Sequence, residues 1–160
     1  MKVTDAIARI KSSIHDISNE YTDAQYIDFL NTAVQQVSSL LIAARWPAFI
    51  KETTVRDGDS LPKNYMCCVG TYPLRMTDGT VKIIDDDYET VPFRYFATPD
   101  LIDDTTIDLP FTHSGINDVV VMAATLLAGN DNEMDITQDT SIMQALQQAI
   151  ASGISGTTSG

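Results

Sequence analysis

Residues 22–47, TDAQYIDFLNTAVQQVSSLLIAARWP, constrain this chain most, because both ends of one long helix are written into them. Thr22 with Gln25 has the form of a capping box. The threonine oxygen takes an orphan amide of the first turn, and the glutamine reaches back to the cap. Asp23 places negative charge at the positive end of the helix dipole. Tyr26, Leu30, Ala33, Val34, Val37, Leu40, Leu41 and Ala44 recur at three- and four-residue steps, giving one apolar stripe, while Asp28, Asn31, Gln35, Gln36 and Ser38 fall on the wetter side. Pro47 disfavours helical geometry at Trp46 and stops the run. At about 1.5 Å per residue such a helix is roughly 33 to 35 Å long, a spine on which the other elements are expected to pack.

Around this spine the sequence reads as an α+β chain, mainly helical. The expectation is an antiparallel helix bundle in a single domain over 1–160, with helical parts at 1–48 and 112–152, a small β-sheet insertion at 49–111 and a flexible C-terminal arm at 153–160. Thr4 is expected to open a first helix with Val3, Ile7, Ile10, Ile14 and Ile17 on one face. The short link from Ser18 to Tyr21 predicts that it lies antiparallel beside the long helix. Beyond Pro47 the character changes. Phe49 to Arg56 reads as a strand closed by Asp57 to Ser60, Tyr65 to Tyr72 is a second apolar run, and Asp78-Gly79 signals a hairpin turn before a strand at Thr80 to Ile84. Pro92 to Phe96 is rich in aromatics, and Thr106 to Leu109 reads as one more short strand. Helical periodicity returns with Ser114 or Asn117 as cap of a run to Leu127, and again from Asp139 to Ile150. The closing ASGISGTTSG has the composition of a segment that does not bury enough surface to order itself.

A chain of 160 residues with 44% hydrophobic content is expected to bury about 70% of its unfolded surface without help from disulfides. The two cysteines, Cys67 and Cys68, are adjacent, which suits neither a loop-closing bridge nor a zinc site, so they read as reduced thiols. No run is long and apolar enough for a membrane span, and MKVTDAIARIK lacks a signal-peptide core, so the expectation is a soluble, unexported protein made in the cytoplasm. Against 10 basic residues stand 22 acidic ones, a formal charge of −12 at pH 7. A phosphate backbone repels such a protein. That charge suits simple solubility, a surface that lets DNA pass without holding it, a DNA mimic, or a cation binder.

Chemistry-bearing constellations are sparse. His15 sits within an amphipathic helix and His113 before one, with no motif joining either to a nucleophile. Asn130, Asp131, Asn132, Glu133 and Asp135 look like a piece of a calcium loop without its turn glycine or alternating ligands. Asp85, Asp86 and Asp87 are consecutive, so on a strand they would not converge on an ion, and they read as a charged strand end or hairpin tip. No catalytic residue, no metal site and no cofactor is expected.

An isoleucine helix is followed by YTDAQYIDFLNTAVQQVSSL, with Leu30, Asn31 and Ala33 in a "leucine-asparagine-x-alanine" pattern. Thr54-Val55, the turn at Asp57-Gly58 and Leu61-Pro62 come next, and the chain closes with an alanine-rich helix at Val119 to Ala128, an acidic linker and a helix at Gln138 to Ile150. In these residues the sequence resembles the head-to-tail connector, or adaptor, proteins of tailed bacteriophages. The resemblance implies a non-enzymatic scaffold of the virion, made in the host cytoplasm and placed at the head–tail junction. Such a protein forms a homo-oligomeric ring of typically 12 copies under the portal protein. The ring extends the DNA channel, without specific DNA binding or contact with a membrane, and receives the tail or the next connector. Other tail-side structural roles, a stopper or a tail-completion protein, belong to the same class, and a small acidic interaction protein such as a DNA mimic is the alternative outside it. On the connector reading Ile154, Ser155, Thr157, Thr158 and Gly160 belong to a portal-binding arm. Asp85, Asp86, Asp87 and Glu89 face the lumen or the tail partner, and Gln35, Gln36, Ser38 and Ser39 line a subunit interface.

Overall fold

The computed structural model describes residues 1–14, 21–130 and 135–158, the side chains of 153–158 excepted. Its elements run α1 (Val3–Ile14), α2 (Asp23–Ala43), a 3-10 turn (Pro47–Phe49), β1 (Ile50–Arg56), β2 (Tyr65–Cys68), β3 (Leu74–Thr77), β4 (Thr80–Ile83), β5 (Thr90–Ala97), α3 (Ser114–Gly129), a second 3-10 turn (Ile136–Gln138) and α4 (Thr140–Thr158). This is a mixed α+β chain with small antiparallel sheets. It separates into two compact units, a helical one of Met1–Ala44 with Pro99–Gly160 and a β unit of Arg45–Thr98. The expected insertion therefore gives up its last stretch, from Pro99, to the helices.

In the helical unit α2 begins as its sequence predicts. The Gln25 backbone N–H donates to Thr22 Oγ1 at 3.3 Å, and the Thr22 N–H donates to Gln25 Oε1 at 2.8 Å, so both halves of the capping box are made. The helix ends sooner than expected, at Ala43, because Arg45 turns into the left-handed region at φ 56° and Trp46 is already extended ahead of Pro47. Its 21 residues span about 32 Å. Tyr26, Phe29, Leu30, Ala33, Val34, Val37 and Leu41 are buried along one side.

The spine is nonetheless α3 rather than α2. The α3 helix packs on α1, α2 and α4, whereas α1 and α2 barely touch each other, so the expected side-by-side pair is replaced by two helices flanking a third. The cause is composition. Ile116, Val119, Val120, Val121, Ala123, Ala124, Leu127 and Ala128 are buried, more than one face of a helix holds, and a helix apolar on most sides must be covered on most sides. His15, Asp16, Ile17 and the link at 18–20 lie outside the described residues, as does 131–134 with the calcium-like cluster's Asp131, Asn132 and Glu133.

Two helix starts differ from the expectation. Helix α1 begins at Val3, and the N–H groups of Val3 and Thr4 donate to the carbonyls of Ile107 (2.9 Å) and Thr105 (3.1 Å). The stretch read as a strand at Thr106 to Leu109 is thereby spent as a backbone cap, with a single bridge from Asp108 to Lys2. Helix α3 is capped by His113, whose Nδ1 accepts from Gly115 (3.1 Å) and Ile116 (3.3 Å), rather than by Ser114 or Asn117. Asn117 is buried and donates to the Phe111 carbonyl at 3.0 Å. Asn31 holds the same segment from the other side. Its Nδ2 donates to the Ile102 carbonyl at 2.9 Å, and its Oδ1 accepts from the Ile102 N–H at 2.7 Å. These bonds are why the chain from Pro99 onward belongs with the helices.

In the β unit the three-stranded sheet has the order β1-β5-β2, all antiparallel, and β3-β4 form a separate hairpin. Asp78 and Gly79 have φ of 52° and 77°, the positive pair that a tight two-residue hairpin demands, so Thr77 pairs with Thr80, Arg75 with Lys82 and Leu74 with Ile83. The turn after β1 is locked by aspartates. The Arg56 N–H donates to Asp59 Oδ2 and the Ile83 N–H to Asp57 Oδ1, each at 2.8 Å. Strand β2 is shorter than the apolar run that predicts it, ending before Gly70 at φ 102°. Where it ends, the Tyr72 hydroxyl takes over the ladder: it donates to the Val69 carbonyl at 2.9 Å and accepts from the Arg94 N–H at 3.1 Å. Val55, Val81, Phe93, Tyr95 and Ala97 form the core of this unit.

Helix α4 continues to Thr158, so the backbone over 153–158 is helical where a flexible arm was expected. Alanine, isoleucine and the continuing i→i−4 ladder carry the helix through glycines that cost it only about 1 kcal/mol each. Residues 159 and 160 lie outside the described residues.

Candidate functional site

Charge is the property that differs most between the two units. The helical unit has 14 acidic side chains against 3 basic ones, and the β unit has 8 against 7, so the formal charges are −11 and −1. Two of the three cations of the helical unit are already in ion pairs, Lys2 with Asp108 at 3.7 Å and Arg9 with Asp118 at 3.0 Å. Its field is therefore almost wholly negative. The unit that repels a polyanion is the helical one.

The acidic stretch at Asp85, Asp86, Asp87 and Glu89 lies in the connection between β4 and β5 and forms a turn, as the sequence reading has it. The Asp87 N–H donates to Asp85 Oδ1 at 3.0 Å and the Tyr88 N–H to the Asp85 carbonyl at 3.2 Å. Asp86, Asp87 and Glu89 are exposed and Asp85 is half-buried. Among the described residues no group of three or more histidine, cysteine or acidic side chains is placed to hold a metal ion.

The four polar residues on α2 do not share one surface. Gln35 and Ser39 are exposed, and Ser39 Oγ donates to the Gln35 carbonyl at 3.1 Å. Gln36 is engaged within the unit, its Oε1 accepting from the Ile136 N–H at 3.0 Å. Ser38 is fully buried, which removes it from any interface between copies. Its Oγ is buried without a hydrogen-bond partner among the described residues. Of the expected arm, Ile154, Ser155, Thr157 and Thr158 fall on the last turns of α4, and Gly160 lies outside the described residues.

The cysteines are free and separated by the pleat. Cys67 is exposed, and Cys68 faces the core with its Sγ 3.2 Å from the Tyr65 hydroxyl. Burial, and then that thiol, push the Tyr65 hydroxyl well above its ordinary pKa, so it stays protonated. His113 serves as a helix cap. An open groove of about 450 Å³ is lined by residues of α1, α3 and the start of α4, among them Arg9, Val121, Met122, Leu126, Asp139 and Ile142. No described helix is long and apolar enough to cross a membrane.

Two surface features escaped the sequence reading. One is the cross-strand pair Arg75 and Lys82, whose opposition follows from the Asp78-Gly79 turn once the two-residue hairpin register is counted outward. The other is the stretch 100–108, held in place by Asn31 and by α1. There the Thr106 N–H donates to Asp104 Oδ1 at 2.9 Å, and this backbone bond, then the threonine side chain, hold the Asp104 carboxyl below its ordinary pKa.

No protein-family model matches this chain, and no curated protein sequence matches it.

Proposed function

We propose that this chain is a head-to-tail connector of a tailed bacteriophage, a non-enzymatic virion protein at the head–tail junction. Twelve copies would ring beneath the portal, extend the DNA channel and offer the tail its platform. The observation that carries the reading is the position of the residues that resemble the connector family. Thr22 and Gln25 close the cap of α2, Leu30 and Ala33 are buried, and Asn31 clamps Ile102, so the pattern coincides with the joints of the helical unit. In this reading the four helices form the bundle that serves as the ring's wall, and the β unit is the insertion that meets a neighbouring ring component.

The charge of the helical unit suits a channel lining. Affinity for duplex DNA comes mostly from cations that displace counterions at phosphates, and a wall with 14 acidic and 3 basic side chains supplies almost none. DNA then slides past without being held. The end of α4, from Ile154, is the portal-binding segment and docks as a helix end rather than as an unordered arm, so less ordering entropy is lost on binding. The exposed acidic turn at Asp86, Asp87 and Glu89 faces the lumen or the tail side.

The test is co-sedimentation of the full chain, and of a chain truncated after Gly153, with the portal protein encoded by the same genome. The full chain is expected to travel with the portal and the truncated chain to stay behind while keeping its helical signal. Equal binding by both would remove the role of the α4 end, and binding by neither would remove the connector reading.

A further inference from the structure

In a chain of net charge −12, the outer face of the β3–β4 hairpin carries two cations. Arg75 and Lys82 sit directly opposite each other in register and are exposed, and neither makes an ion pair or side-chain hydrogen bond among the described residues. Like charges at opposed positions cost stability, so the pair works against the hairpin that carries it. The inner face holds Leu74, Met76, Val81 and Ile83, and the alternation continues to Ile84, whose N–H donates to the Pro73 carbonyl at 3.0 Å. Ile84 lies on the outer face beside Lys82 and is 56% exposed.

The helical unit carries a patch of the opposite kind. Leu101 is 63% exposed, with the exposed carboxylates of Asp103 and Asp104 beside it. The segment is pinned, by Asn31 at Ile102 and by the Thr106 N–H at Asp104, so it presents these groups without a large ordering cost. Each patch thus combines exposed aliphatic surface with charge, and the signs are complementary. Two different patches that fit each other on identical chains make a head-to-tail contact, which closes into a ring when the rotation allows.

We propose that Arg75, Lys82 and Ile84 of one copy dock on Leu101, Asp103 and Asp104 of the next. This inference rests on the ring reading above and specifies its subunit contact. A nucleic acid is the other polyanion that two cations could attract. A phosphate backbone offers the two cations charge alone and nothing apolar for Ile84, whereas a second copy brings the exposed Leu101 beside its two carboxylates.

The experiment is sedimentation equilibrium of the full chain at low and high salt, with far-UV circular dichroism to confirm folding. Four proteins are compared: the native chain, Arg75→Glu with Lys82→Glu, Asp103→Lys with Asp104→Lys, and the combined quadruple variant. The native chain is expected to self-associate, less so at high salt. Each double reversal is expected to weaken association by roughly 100-fold, and the quadruple variant to recover most of it. Replacing Ile84 by Asp is a separate disruption that leaves both charge pairs in place. A native chain that stays monomeric at low salt, a double reversal without effect, or a quadruple variant that fails to recover overturns the contact. So does retention of duplex DNA that the hairpin reversal abolishes. Rings that form on the portal and ignore both reversals would leave the connector reading standing while this contact falls; a chain monomeric alone and on the portal would end both.

Discussion

Replacing Asn31 by Ala tests whether a single amide ties the 99–113 segment to the helices. The side chain makes two bonds to one peptide-flanked residue, Nδ2 to the Ile102 carbonyl at 2.9 Å and Oδ1 from the Ile102 N–H at 2.7 Å. Ile102 is 4% exposed, so its backbone groups have little access to water once the partner is gone. Each lost bond is worth about 1 kcal/mol net, and a buried backbone group left unpaired adds about 1 kcal/mol or more, giving a loss of roughly 3 to 4 kcal/mol. Helix propensity acts the other way, since Ala is better than Asn by about 0.6 kcal/mol at an interior position. The expected net is therefore about 3 kcal/mol of destabilisation. Urea unfolding followed at 222 nm reads it directly, with Asn31→Gln as a variant that keeps the amide but moves it out of register. A net change below about 0.5 kcal/mol, or a stabilisation, would mean that propensity decides at this site and the clamp carries no weight.

Other positions are equally exposed to test. At Gly115 an added Cβ would lie 3.0 Å from Cε1 and 3.2 Å from Nδ1 of the capping His113 and 3.2 Å from Cβ of Ala149, so Gly115→Ala should lower the melting temperature although Ala favours helix by about 1 kcal/mol; a rise would show that the cap and α4 yield freely. Tyr72→Phe removes the hydroxyl that joins Val69 to Arg94 and should cost about 1 to 2 kcal/mol, visible in thermal unfolding followed by near-ultraviolet circular dichroism of the β unit's aromatics. The Asp104 carboxyl is held below its ordinary value by the Thr106 backbone, and the Asp135 carboxyl by the Thr137 hydroxyl and then its N–H. A lowered folded pKa gives stability that is present above the ordinary value of 3.8 and fades as pH falls through the lower folded value. The acid limb of stability should therefore flatten slightly in Thr137→Val, and an unchanged limb would remove the assignment.

What was legible in the sequence was what is local. The capping box at Thr22 and Gln25, the hairpin at Asp78-Gly79 and the strand to Arg56 are each set by a few adjacent residues, and all three stand in the fold. Pairing between helices was not local, and the short link from Ser18 to Tyr21 was a poor guide to it. The better signal was VVVMAATLLA in α3, apolar on too many sides to lie anywhere but the centre. Polar type misled twice. Ser38 reads as surface and is buried, while Asn31 reads as a wet-side residue and is a clamp, because its partner lies 71 residues away. The helix starts at Val3 and at Ser114 depend on distant carbonyls and on a histidine, a residue seldom used as a cap. Of the candidate site, the acidic turn was readable from three consecutive aspartates, but the segregation of charge emerges only after the boundary at Pro99 assigns Asp100 to Asp108 to the helices.

The most direct measurement is light-scattering mass of the full chain alone and mixed with the portal protein of the same genome, followed by negative-stain imaging of the mixture. The connector account predicts a ring of this chain seated on the portal, with a mass increment of about twelve chains. A chain that stays monomeric and leaves the portal bare would contradict it.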